Sequence, residues 1–491
     1  MYALGVDSGT RGTRVLIVEF DSGQVLGRGS SAHDAVSGLG PGESEQEPAT
    51  WTRAFERALR KALHGAKIDP GKIVALGVAG QQHGFVPLDS DGHPIRPAKL
   101  WNDISTLAET EAIVRRLGGR KQFVEKLGVG LSVGYTASKI LWLKNHEPGH
   151  FKQLATVLLP HNYLNFHLTG VKHMEFGDAS GTGLMDIRQR EWQKEALAAV
   201  DPSLKNRLPS LRHPREPVGY IKRALASQFG MKRVLVASGG GDNMMAAIGT
   251  GNVVPGRCTL SLGTSGIMSS YSENPVIDPE GRIAAFCDST GGWLPLLCTM
   301  NVANATDAVK AVIGIGNREL ESLASQAPPG SDGLVFLPFL DGERIPELPY
   351  ASGSFSGLSS RNFDAPHIAR AVMEGTILNL GYGFSLMKNL GLNPRELRAT
   401  GGAAKNRLWL QIVADVLKTT VVTPREKEAA AFGAAVQSIW NYWGEKGRPT
   451  EIADLTASMV REKDKMIEPE AKNFDVYDAA QKTFNSLWKK L

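Results

Sequence analysis

A chain of 491 residues with 42% hydrophobic and 21% charged residues has the balance of a globular protein and is too long for one ordinary core, so two domains are expected. The formal net charge is only +5, and the basic residues form no run longer than a pair, which excludes a nucleic-acid-binding stripe. Cys258, Cys287 and Cys298, with no CxxC spacing, exclude a disulfide framework and a structural zinc site and fit reduced, buried thiols.

The N-terminus, Met1-Tyr2-Ala3-Leu4-Gly5-Val6-Asp7, lacks the charged and apolar regions of a signal peptide. No apolar run approaches the ~20 residues that span a bilayer, so a cytoplasmic protein without a membrane partner is expected. A strand is predicted through Tyr2 to Val6, then a Gly-rich turn, a return strand from Arg14 to Phe20 and a tight turn at Asp21-Ser22-Gly23. Trp51, Phe55, Ala58 and Ala62 recur at helical spacing and predict a helix from about Thr50 to Leu63. The continuous apolar run Ile73 to Ala79 then reads as a buried strand, as does Arg233 to Ala237. A boundary is expected between Gly241 and Pro255, around a short Met/Ala-rich helix, giving domains of 1–245 and 246–491.

A similar order returns after it. Cys258 to Leu262 predicts a strand, Gly263-Thr264-Ser265-Gly266 a turn and Ile267 to Tyr271 a return strand. A later helix starts near Asp364, with a carboxylate cap and Pro366 in its first turn. Leu397 to Thr400 leads into the small-residue turn Gly401-Gly402-Ala403-Ala404 and a helix with Leu408, Ile412 and Val416 on one face. The two halves read as copies of one α/β plan, and the segment beyond Glu451 as structural.

Several loops carry groups suited to phosphate and sugar. The turn Asp7-Ser8-Gly9-Thr10-Arg11-Gly12-Thr13-Arg14 puts glycines where a backbone approaches a ligand and hydroxyls where phosphate oxygens would be met, though an ordinary hairpin loop shares this composition. Asp7 ends a buried apolar strand, where a carboxylate needs a cation, a donor or water; a phosphate-bridged magnesium ion satisfies it. Asp242, after Gly239-Gly240-Gly241 and before Asn243, reads equally as a general base for a substrate hydroxyl or as a helix cap. Gln82 and His83, within Gly80 to Gly84, follow a strand's C-terminal end, where amide and imidazole could hold sugar hydroxyls or simply face solvent. Trp101-Asn102-Asp103 offers an aromatic face beside polar heads, and a partly buried loop Trp is the alternative. Neither HExxH nor a Walker A sequence occurs.

With these elements in this order, the chain resembles the FGGY family of carbohydrate kinases. Two signatures carry the resemblance: Gly134 to His146 (GYTASKILWLKNH), with Thr136, Lys139, Trp142, Asn145 and His146, and Gly353 to Glu374, with Gly357, His367, Ala371 and Glu374. It extends from residue 1 to about 440, through Ser44 to Trp51, Leu100 to Asp103, Asp178 to Thr182 and Gly342 to Arg344.

The resemblance implies a two-domain duplicated actin-like ATPase (ribonuclease H-like) α/β fold with a cleft between the domains, sugar binding in 1–245 and nucleotide binding in 246–491. It implies ATP and Mg2+ as cofactors, Asp242 as catalytic base, Asp7 as catalytic metal ligand, and sugar contacts from Gln82, His83, Trp101, Asp103, Asp242 and Asn243. Thr10, Arg14, Gly263 and Thr264 match phosphate-loop positions, and Gly401, Gly402 and Asn406 the adenine-lining segment. The implied reaction is phosphorylation of a pentulose, D-xylulose ahead of D-ribulose, L-xylulose or a pentitol; a non-catalytic sensor is the rival from another class. The chain departs from the family at His161-Asn162, where relatives often read Lys-Asp, at Ile345, where Thr is usual, and at Ile104-Ser105-Thr106 after Asp103. Oligomeric state stays open, a homodimer among the options.

Overall fold

The N-terminal apolar run forms strand β1 (Tyr2–Ser8), which is buried on both faces and so reads without polar alternation. Its Leu4 and Val6 join one core with Trp51 and Phe55, while Ala3 joins another with Phe432 and Ala435. β2 (Gly12–Glu19) returns antiparallel to it, β3 (Val25–Ala32) pairs antiparallel with β2, and the strand Ile73–Gly80 lies parallel to β1. Leu235–Val236 continues the parallel order, and Gly219–Tyr220 closes that edge. Of the stretch Arg233 to Ala237 only these two residues form strand. The expected helix is longer than its periodic core: α1 runs over Pro48–Ala66, starting on a proline at its first position and stopping where Lys67 turns left-handed at φ 51°.

The structure, a computed structural model, describes residues 1–448, 450–463 and 465–491. Contacts divide the chain into two units, one of Met1–Val254, Tyr271–Pro295 and Glu428–Val460, the other of Pro255–Ser270, Leu296–Lys427 and Arg461–Leu491. The first unit thus takes two segments from the half expected to form the second domain. One of them holds the helix Ala429–Glu445, and its close fit has a clear cause. A Cβ at Gly5 would lie 1.8 Å from the Ala431 carbonyl oxygen, and one at Gly77 2.0 Å from that of Ala434. The helix therefore rests its backbone directly on β1 and Ile73–Gly80. The helix Asp242–Thr250 leans on it in the same way, with a Cβ at Gly433 falling 1.8 Å from the Met245 carbonyl oxygen.

In the second unit, Arg257–Leu262 pairs antiparallel with Gly266–Ser270 and parallel with Glu396–Thr400, which repeats the relation of β1 to β2 and to Ile73–Gly80. The helix Ala365–Asn389 is capped by the Asp364 carboxylate, which accepts from the His367 N–H at 3.0 Å, and has Pro366 in its first turn. On the helix Arg407–Leu417 the buried face centres on Trp409, Leu410, Ile412 and Val413, and Leu408 and Val416 are only half-buried. The i, i+4, i+8 spacing drifts around the cylinder and marks one flank of the true stripe. The C-terminal helix Phe474–Trp488 is tied in through Tyr477, whose hydroxyl donates to Glu374 Oε1 at 2.9 Å and accepts from Arg370. Among the described residues no helix is long and apolar enough to cross a membrane.

Because Gly433 meets a backbone carbonyl that no rotamer change can move, Gly433→Ala should cost at least about 1–3 kcal/mol in urea unfolding. Gly149→Ala, where an added Cβ meets nothing within 4 Å, should cost nothing; equal effects would show that the contact is not tight.

Candidate functional site

The site in the first unit follows from strand register. Asp7 stands opposite Ala79 and Ser8 opposite Gly80, and the short strand Gly240–Gly241 pairs with Ala79 and Gly80 from the other side. Three neighbouring strand ends therefore deliver Asp7, the segment Gln81 to His83, and Asp242 to one edge, the C-terminal edge where α/β sheets hold ligands. Small residues make this approach feasible: a Cβ at Gly241 would sit 2.6 Å from the Gln82 side chain.

Gly241, not Asp242, occupies the capping position of the helix Asp242–Thr250. Asp242 is its first residue, half-buried, with Oδ1 accepting from the Asn243 N–H at 2.9 Å and from Asn243 Nδ2 at 3.2 Å. Asn243 Nδ2 also donates to Gln82 Oε1 at 2.7 Å. Gln82 Nε2 is buried and finds no partner among the described residues, a donor aimed at something the protein does not supply. Burial, with added repulsion from Asp7 and Asp178, pushes the Asp242 carboxyl up to about 7. Burial likewise raises Asp7 to about 6, opposed by Arg14 and reinforced by Glu428. Arg14 stands between them, Nη1 3.6 Å from Asp7 Oδ2 and Nε 3.0 Å from Glu428 Oε2. Asp178 is fully buried against His161, Nδ1 to Oδ2 2.7 Å, and burial holds that imidazole neutral, down to about 3. The histidine at this position is thus uncharged.

His83 does not face solvent. Its φ of 62° is left-handed, its Nδ1 lies 2.8 Å from the Gly181 carbonyl oxygen, and its ring stacks on Tyr135 at 4.3 Å between centroids. A carbonyl oxygen only accepts, so Nδ1 carries a proton, and in a neutral ring Nε2 is the acceptor. Phe286 flanks both rings, 5.7 Å from His83 and 6.1 Å from Tyr135. Nothing local in the sequence marks Phe286, which lies far from the motifs in the chain, whereas Tyr135 adjoins Thr136 of the signature.

Thr10 is less available for phosphate than expected. Its hydroxyl donates to Gln81 Oε1 at 3.1 Å and accepts from Trp101 Nε1 at 2.9 Å, and Gln81 Nε2 continues to Gln46 Oε1 at 3.1 Å. Trp101 is 40% exposed, so its indole is anchored at the nitrogen and open on a face. Asp103 differs from the expectation of a sugar contact. It is fully buried, Oδ2 accepting from Lys99 Nζ and the Ser44 N–H and Oδ1 from the N–H and hydroxyl of Ser105. Four donors fill a carboxylate's acceptor sites, so Asp103 supports the Trp101 loop and has nothing left to offer a ligand.

The second unit carries the remaining predicted residues at one sheet edge. Thr264 is exposed in the turn after Arg257–Leu262, and the Gly263 carbonyl accepts from the Ala303 N–H at 3.0 Å. Ser261 pairs with Thr400, which brings Gly401 beside that turn; a Cβ there would fall 2.5 Å from the Leu262 carbonyl oxygen. Gly402 is exposed, and Asn406 caps the helix Arg407–Leu417 by accepting from the Trp409 N–H at 2.9 Å. Among the described residues, the group with metal-like ligand spacing is Asp89, Asp91 and His93, on an exposed turn and without Asp7.

The profiles of the N- and C-terminal domains of the FGGY family of carbohydrate kinases match residues 2–249 and 258–442. The xylulose kinase of Haemophilus influenzae is 41% identical over 444 residues, covering 89% of this chain and 90% of that one. The crystal structure of the xylulose kinase from Bifidobacterium adolescentis is similar, with a TM-score of 0.84 and 30% identity over 98% of this chain and 99% of that one. A gluconate kinase from Lactobacillus acidophilus gives a TM-score of 0.92 at 25% identity, covering 100% and 98%.

The raised carboxyl has a stability signature. Ionising a group whose folded-state pKa is about 7 weakens the fold progressively as pH rises from the ordinary carboxylate value of about 4, and the loss is complete above about 7. Asp242→Asn should therefore raise the thermal midpoint at pH 8 and leave it unchanged at pH 4; a lower midpoint at pH 8 would mean that the ionised carboxylate stabilises the fold.

Proposed function

The chain belongs to the FGGY family of carbohydrate kinases, and from that membership we propose that it transfers the γ-phosphoryl group of ATP to the O5 hydroxyl of D-xylulose, giving D-xylulose 5-phosphate and ADP. The observation that carries this reading is the Asp242 carboxylate at a convergence of strand ends, with a pKa of about 7 that suits a base at neutral pH. The xylulose kinases among its relatives support the choice of sugar.

In this reading Asp242 accepts the O5 proton as that oxygen attacks the γ-phosphorus and the bond to the bridging oxygen of ADP breaks in line. His83 Nε2 accepts from one sugar hydroxyl, the unpartnered Gln82 Nε2 donates to another, and Asn243 holds Gln82 and Asp242 in register. The open face of Trp101 lies against the sugar. Asp103 takes no part in sugar contact. Asp7 suits Mg2+ because a buried, raised carboxylate is a hard oxygen ligand in need of a cation. Bound there, the ion supplies charge neutralisation on the phosphate oxygens. Arg14 and the backbone of the Thr10 turn serve the phosphates, as do Gly263 and Thr264, while Gly401, Gly402 and Asn406 line the adenine. Residues 1–245 then hold the sugar and 246–491 the nucleotide. Cytoplasmic location belongs to the same proposal, supported by three free cysteines, as does a homodimer, which light scattering would read.

A coupled ADP-release assay over D-xylulose, D-ribulose, L-xylulose, pentitols and gluconate, with mass spectrometry of the product, tests the reaction. D-xylulose should rank first and gain one phosphoryl group; another sugar far ahead of it overturns the substrate, and no phosphosugar at all overturns the reaction. Asp242→Ala should lose about 10²–10⁴ in kcat yet still bind sugar. In the wild type, kcat/KM should fall on the acid side of about pH 7 as Asp242 gains its proton; a flat profile down to pH 5 contradicts the role.

A further inference from the structure

The signature segment Gly134 to His146 contains a buried amine that the reaction does not use. Lys139 is fully buried, and its Nζ donates to the main-chain carbonyls of His83, at 2.8 Å, and of Gly134. Thr136, three residues earlier on the helix Thr136–His146 and so on the same face, donates its hydroxyl to the same His83 carbonyl at 3.1 Å. Both lone pairs of that oxygen are thereby engaged.

The residue so gripped is in an unfavourable conformation. A non-glycine residue in the left-handed region costs about 1–2 kcal/mol, and His83 sits there with φ 62°. That conformation turns its ring onto Tyr135 and the Gly181 carbonyl, where a side chain at residue 181 would collide, a Cβ lying 2.4 Å from His83 Cε1. The second acceptor leads to the other sugar-facing loop. Gly134 has φ 93°, and a Cβ there would fall 2.3 Å from the Trp101 carbonyl oxygen. One amine thus ties the His83 turn to the backbone against which the Trp101 loop rests.

A buried lysine is a costly way to fill space, because desolvation opposes its charge and holds its pKa well below the ordinary lysine value. Packing alone would be served by methionine or leucine. Charged or neutral, the amine keeps at least two N–H donors, so the grip needs no particular protonation state.

We propose that Lys139, assisted by Thr136, is a positioning residue that holds the backbone of His83 in its left-handed turn and so sets affinity for the sugar without touching sugar or nucleotide. This rests on the reading of His83 as a sugar contact. A double-mutant cycle of Lys139→Met with His83→Ala, measuring KM for D-xylulose and for ATP separately, tests both. Lys139→Met alone should raise the sugar KM about tenfold and leave the ATP KM within about twofold, and should add less than about twofold once His83 is Ala. Thr136→Val, nearly isosteric, should act in the same direction by about threefold and show the same lack of additivity, which keeps the test open if Lys139→Met does not fold. Additive effects, or equal rises in both KM values, overturn the proposal while sparing the role of His83. An unchanged sugar KM in His83→Ala alone overturns the sugar-contact reading, and the positioning role falls with it.

Discussion

Two carboxylates at strand ends on either side of Ile73–Gly80 set the terms for everything around them. Asp7 and Asp242 reach one edge because β1, Ile73–Gly80 and Gly240–Gly241 run in fixed register; burial raises both carboxyls, and Asp7 adds to the cost of ionising Asp242. Like charges in a desolvated place are tolerated only with a compensating cation or a shared proton. Arg14 gives part of that compensation to Asp7 and divides itself with Glu428. Asp242 gets none from a side-chain cation; its Oδ1 receives neutral donors from Asn243. In the proposed reading, one carboxylate is prepared for a cation and the other to take a proton.

Such an arrangement requires a support that does not yield. Here it comes from main chain packed on main chain: the helix Ala429–Glu445 on β1 and Ile73–Gly80 through Gly5 and Gly77, and the helix Asp242–Thr250 on the same helix through Gly433. Contacts between backbones leave no side chain to re-pack, so the first residue of Asp242–Thr250 inherits the rigidity of the sheet. This also explains why a segment distant in sequence belongs to the first unit. Only glycines at those points admit the helix so closely.

Much of the fold is legible in the chain, and what is not legible has a physical reason. β1, β2, Ile73–Gly80 and the repeat around Gly263 are local patterns, apolar runs ended by glycine turns, and local patterns survive folding. Asp242 was placed by its triple glycine, and His83 by its position after a strand. What the local pattern leaves out is non-local. Asp103 looked like a sugar contact beside Trp101, yet its fate depends on Lys99, Ser105 and the distant Ser44. The partners of the Thr10 hydroxyl, Trp101 and Gln81, are likewise distant in the chain. Phe286 carries no local sign of its place beside His83, and the role of Lys139 depends on which carbonyls come within its reach.

The protonation of Asp242 can be observed directly. Protein labelled with carboxyl-13C aspartate, titrated by NMR between pH 4 and 9 with Asp242→Asn to assign the resonance, should show an Asp242 midpoint near 7, as its surroundings require. A midpoint in the ordinary carboxylate range, about 4, would contradict the proposal that burial prepares Asp242 to take a proton near neutral pH.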